Sequence, residues 1–163
     1  MTRPRLTAEE RRRQITVAAV EVFAAHGYAA ASTDAIARRV GVSQPYVVRL
    51  FSSKAALFAA AAEHVFDKIE QRLANLSSQS SASSAAASFE NCRGLLDDET
   101  VTRFLVQLYS YACVDDDIQQ VASEGFARQS VLLLDLFGGD ESKVNALLGE
   151  MLVRAIGARA HVP

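Results

Sequence analysis

"GVSQPYVVRLF", residues 41–51, opens with a glycine, sets a serine where a helix cap belongs and puts a proline in the following turn. Gly41 can take the left-handed conformation of a tight turn, Ser43 caps the helix, and Pro45 falls where a missing backbone donor costs nothing. Val47, Leu50 and Phe51 form one face; Gln44, Tyr46 and Arg49 are left on the other. Just upstream, Ser32 or Thr33 caps a short helix with Ala35, Ile36 and Val40 inward and Arg38 and Arg39 outward. Two short helices joined by a glycine-bearing turn, the second opening on polar side chains, make a helix-turn-helix pattern.

That pattern has a chemical use. A major groove admits one α-helix, and the first turns of that helix reach base edges while its inner face stays packed on its own domain. Gln44 can pair bidentately with adenine, and Arg49 can reach guanine or phosphate. Tyr46 can offer its hydroxyl to phosphate or its ring to a thymine methyl. A small helical bundle with ordinary solvated positions has the same spacing, so the pattern alone leaves both readings open.

Working outward, the periodicity predicts helices almost everywhere and no strands. Ile15, Ala18, Ala19, Val22 and Phe23 repeat at helical spacing within Arg11–His26, with Gly27 as the stop. Ser53 caps a longer helix reaching about Leu76, striped by Leu57, Ala61, Val65, Ile69 and Leu73. The tract "SSQSSASSAAAS", Ser77–Ser88, reads as a loop or loosened helix end. Further helices are expected near Ala85–Leu95, Glu99–Ala112, Asp117–Phe137 and Glu141–Ala158.

Charge divides along the same line. Residues 1–54 hold nine Lys/Arg against four Asp/Glu, whereas residues 55–163 hold eight against fifteen. The basic end is the one to meet an anion. Arg3 and Arg5 flank a proline in the N-terminal arm and read as diffuse charge, and Arg11–Arg13 as a solvated helix face near phosphate. A chain of 163 residues, half of them apolar, supports an ordinary core. No uncharged apolar run approaches the roughly 18 residues of a membrane span, and Cys92 and Cys113 lack metal-site or redox spacing, so a cytoplasmic location is expected. No nucleophile–base set, glycine-rich phosphate loop or cofactor motif appears, so an enzyme is not expected. Asp115–Asp117 suit a helix cap better than a metal.

"RRRQITVAAVEVFAAHGY", "STDAIARRVGVS" and "RLFSSKAALF", in that order and separation, resemble the DNA-binding region of TetR-type transcriptional regulators over about residues 8–60. The resemblance implies an all-α homodimer. A helix-turn-helix domain, residues 1–53, would be followed by a helical effector-binding and dimerisation domain, residues 54–163. It implies that Ser32 and Thr33 contact backbone phosphate, that Gln44, Pro45 and Tyr46, next to Ser43, set sequence preference, and that Lys54 holds a phosphate across the groove. Val48 and Leu50 stand where the family usually carries a tyrosine and a histidine that touch phosphate, and Ala55 replaces a common acidic residue.

The second half carries less readable chemistry. Phe89, Cys92, Phe104, Leu108, Tyr109, Tyr111 and Phe126 are candidates to line an apolar pocket, although such residues also make ordinary core. Val121, Gly125, Leu132 and Leu136 on one helix, with Leu148, Met151, Leu152 and Ala155 on the next, suit a four-helix contact between two copies. The expected partners are double-stranded DNA, a second copy and a small apolar effector, with no membrane. The expected function is a ligand-responsive repressor on a pseudo-palindromic operator. The alternative is a helical small-molecule-binding or protein-interaction module with weak or lost DNA binding.

Overall fold

The computed structural model describes residues 7–79 and 85–157. The arm bearing Arg3 and Arg5, part of the serine tract, and Ala158 lie outside the described residues. Among the described residues there are eight α-helices and no strand: α1 Ala8–Ala30, α2 Thr33–Val40, α3 Gln44–Phe51, α4 Lys54–Gln79, α5 Ala85–Arg93, α6 Glu99–Ala112, α7 Asp116–Leu136 and α8 Glu141–Gly157. A single 3-10 turn, Gly94–Asp97, joins α5 to α6. The all-α class expected from the sequence holds, with the helix-turn-helix at its N-terminal end.

Local chemistry explains where the helices start and stop. Thr7 and Glu10 form a reciprocal capping box that starts α1 at Ala8, about a turn before the Arg11 start expected from the sequence. Gly27 does break the helix, at φ 74°, but one more turn follows, closed by the Ala31 amide donating to the Gly27 carbonyl. Ser32 caps α2 by accepting from the Ala35 amide, and Gly41 ends it in the left-handed region at φ 71°. Ser43 takes the N-cap backbone conformation of α3, yet its side chain makes no capping bond. Ser53 caps α4 and Asp98 caps α6. Asp115 caps α7 by accepting from the Ile118 amide, the role expected of the aspartate run.

The core runs through the whole chain. Ile15, Phe23, Ile36, Val47, Leu57, Phe58, Phe104 and Leu108, with Ile118, Ala122 and Met151, belong to one buried cluster drawn from α1, α2, α3, α4, α6, α7 and α8. Rings link its parts: Phe23 meets Phe58 edge-on at 4.8 Å, Phe58 meets Phe104 at 5.3 Å, and Tyr28 lies 4.0 Å from Tyr111. A smaller cluster of Leu73, Cys92, Leu133, Phe137, Val144 and Leu147 fills the far end. Helices α4 and α7 approach closely at Gly125, where a Cβ would lie 2.1 Å from the Phe66 ring, buried in the larger cluster. Beside this crossing, Arg128 of α7 reaches Glu63 at 2.8 Å and Glu70 at 2.9 Å on α4.

Candidate nucleic-acid interface

Helix α3 presents the side chains that matter. Val47 and Phe51 are buried beneath it, Leu50 is half-buried, and Gln44, Pro45, Val48 and Arg49 are exposed. Tyr46 is half-buried and packs against the core, with the Arg49 guanidinium 5.0 Å from its ring centre. The expected outward trio is therefore split. Gln44 and Arg49 are fully presented, and Tyr46 serves partly as a shelf for Arg49.

Helix α3 is fastened at both ends. Gln44 Nε2 donates to Thr33 Oγ1 at 3.1 Å, tying the first residue of α3 to the first of α2. At the other end Arg12 Nη1 donates to the Leu50 carbonyl at 2.6 Å, with its guanidinium 4.2 Å from the Phe51 ring centre. Arg12 thus satisfies a helix-terminal carbonyl and sits at the negative end of the α3 dipole. The sequence placed it on a solvated face, because its partner lies 38 positions away. Between α3 and α4, Ser52 adopts φ 66°, a conformation that side chains rarely take, and the turn is tight enough for α4 to start at once.

Lys54 is engaged within the chain. Its ammonium donates to the carbonyls of Tyr28 at 2.9 Å and of Ala29 and Ala31 at 3.3 Å each, and it stands 4.5 Å from the Tyr28 ring centre. The physical reason is the broken end of α1. Carbonyls freed past Gly27 converge where α4 begins, and a cation is the partner that satisfies several of them. Ser32 is exposed but its oxygen is engaged in capping α2, and Thr33 is half-buried beneath Gln44. Arg38 pairs with Asp34 at 3.0 Å and Arg39 with Glu21.

The seven pocket candidates do not come together. Phe104 and Leu108 are fully buried core, and Tyr111 packs on Tyr28 of α1. Phe89 and Cys92 belong to the far cluster, where burial pushes the Cys92 thiol up to about 11. Only Tyr109 and Phe126 line an open groove of about 660 Å³ between α6, α7 and α8. Tyr109 also lines a small, narrower cavity of about 50 Å³ with Gln129, Leu147 and Met151.

Of the eight interface candidates, Gly125 and Met151 face inward. Gly125 is taken up by the Phe66 crossing. Val121, Leu132, Leu136, Leu148 and Ala155 are half-buried, and Leu152 is 47% exposed. Other large apolar side chains on these two helices are exposed as well: Phe126 and Ile156, and also Val131 and Val153, which the sequence reading passed over. Gly149, Leu152, Val153 and Ile156 follow helical spacing, so they form one continuous outer face. Among the described residues no group of three or more His, Cys, Asp or Glu is arranged to hold a metal, and no helix is long and apolar enough to cross a membrane.

Comparison with known proteins bears on this geometry. Residues 15–61 match the family model described as bacterial regulatory proteins, tetR family. The HTH-type transcriptional activator FasR of Mycolicibacterium smegmatis is 46% identical over 65 residues, 40% of this chain and 30% of that protein. The alignment thus spans under a third of the length of that relative. A TetR-family member from Streptomyces coelicolor A3 shares the fold at a TM-score of 0.74 and 21% identity, over 92% of this chain and 90% of that one. NalD, the secondary repressor of the MexAB-OprM multidrug efflux pump in Pseudomonas aeruginosa, has a TM-score of 0.54 and 25% identity, over 94% of this chain and 87% of its own. The resemblance to TetR-family regulators read over about residues 8–60 holds, and the chain has their fold and their helix-turn-helix region.

Proposed function

We propose that this chain is a cytoplasmic DNA-binding transcriptional regulator that acts as a homodimer on a pseudo-palindromic site and responds to a small apolar effector. One observation supports the DNA-binding reading most. Helix α3 projects Gln44, Pro45, Val48 and Arg49 while its inner face is buried and its two ends are fixed by Thr33 and Arg12. A helix held in this way keeps its side chains in register with base edges, which preorganised recognition requires. In this reading Gln44 and Arg49 read bases, Val48 meets a thymine methyl, and Ser32 and Thr33 lie near phosphate. Residues 1–53 are the reading domain and residues 54–163 the effector and dimer domain. One relative is named an activator and one structural neighbour a repressor, so the sign of regulation follows from neither name.

The test is selection of duplex DNA from a random pool by the purified chain. The expected outcome is a two-fold symmetric consensus, with half-sites about 34–36 Å apart or somewhat more, whose affinity falls steeply with salt. Recovery of unselected DNA, or of none, would favour the alternative of a helical binding module with lost operator contacts.

A further inference from the structure

Gln129 lies at the middle of α7 with only 7% of its surface exposed, and its side-chain nitrogen is fully buried without a hydrogen-bond partner. A buried amide nitrogen in that state is costly, so an acceptor belongs beside it. Gln129 lines the small cavity of about 50 Å³, whose other walls include Thr102, Tyr109, Leu133, Leu148 and Met151. The Thr102 hydroxyl is turned to the Leu96 carbonyl at 3.2 Å and is not aimed at Gln129. Tyr109, Leu148 and Met151 also line the open groove of about 660 Å³, so the cavity and the groove share one wall. No Asp, Glu, Lys, Arg or His lines either space.

We infer that the cavity and groove form one site for a small, uncharged, mainly apolar molecule carrying a hydrogen-bond acceptor such as a carbonyl oxygen. The acceptor enters the cavity and takes the Gln129 amide hydrogen, and the apolar body lies in the groove against Phe126 and Leu152. Three features set this class. The orphan group is a donor, so the ligand end is an acceptor. The walls offer no counter-ion, so an ionised ligand would lose hydration without compensation. The cavity alone is far below the few hundred Å³ typical of a ligand site, and the groove supplies the rest. Burial holds the Tyr109 phenol up at about 12, so its hydroxyl stays protonated and is a second donor at the shared wall. Met151, flexible and unbranched, is suited to moving aside between the two spaces.

This inference rests on the reading of the second half as an effector domain, and its test needs no DNA, so the two fail separately. The ¹⁵N-labelled full chain is titrated with acetophenone, with ethylbenzene as its apolar counterpart and with benzoate as its charged one. Acetophenone is expected to shift the Gln129 side-chain amide signals and to bind roughly tenfold more tightly than ethylbenzene, the worth of one good hydrogen bond. Benzoate is expected not to bind. Gln129→Leu is expected to keep its helical circular dichroism and bind both neutral probes alike; Gln129→Met gives the same comparison should leucine disturb the packing. Equal affinity for the two neutral probes in the parent chain overturns the proposal, as does a preference that survives in the variants. Amide signals that no probe moves overturn it too, and leave the cavity a water site.

Discussion

Thr33 and Gln44 belong to different helices and share one hydrogen bond, which makes the hydroxyl of Thr33 a setting device for the side chain proposed to read a base. Thr33→Val keeps the shape and removes the acceptor. Gln44 then samples more rotamers, and discrimination at its base pair is expected to fall by about 1–3 kcal/mol with an unchanged salt slope, measured by competition between operator variants. Lys54 carries the opposite expectation. Its ammonium is held by three carbonyls of the chain, two of them partly buried, so Lys54→Met should lower stability by about 1–2 kcal/mol in urea denaturation while leaving the salt slope of DNA binding as it was. A slope reduced by about one unit, with stability intact, would return the ammonium to a phosphate.

Helices α4 and α7 cross where Gly125 meets Phe66, and at that element boundary the packing leaves no room for a methyl group. Gly125→Ala improves intrinsic helix propensity, yet the crossing must open to admit the new atom. The net expectation is a loss of about 1–3 kcal/mol, read from chemical denaturation. Nothing in the sequence around Gly125 marks it as a crossing point, and it reads equally well as a small residue on a dimer seam. The caps and stripes of α2, α3 and α4 were legible because Ser32, Gly41, Pro45 and Ser53 act over one helical turn. The roles of Arg12, Lys54 and Gln129 were not, since each depends on a partner or a void that only the folded chain brings near. Tyr111 shows the same limit. It looked like a pocket residue by composition, and packing set it against Tyr28 instead.

For the molecule as a whole, the outer face of α8 is the feature that a lone copy leaves uncovered. Ile156 is 74% exposed in the single chain, so Ile156→Glu costs a monomer little; in a two-fold dimer every substitution appears twice and buries two unpaired carboxylates. The variant is expected to sediment as a monomer, to keep its helical circular dichroism and to bind operator DNA far more weakly. An unchanged dimer would move the contact to another face. A different consequence follows from the ring pair of Tyr28 and Tyr111. The chain contains no tryptophan and four tyrosines. Tyr46 stands on the reading helix, Tyr109 at the cavity wall, and the other two touch across the α1–α6 junction at 4.0 Å. Tyrosine emission, excited beyond the absorption of phenylalanine, therefore comes from three separate stations. Tyr46→Phe should abolish the emission change that DNA causes, and Tyr109→Phe the change that a cavity ligand causes. Whatever alteration then remains on adding ligand, removed only by Tyr111→Phe, would time the arrival of the signal at the junction between the two halves.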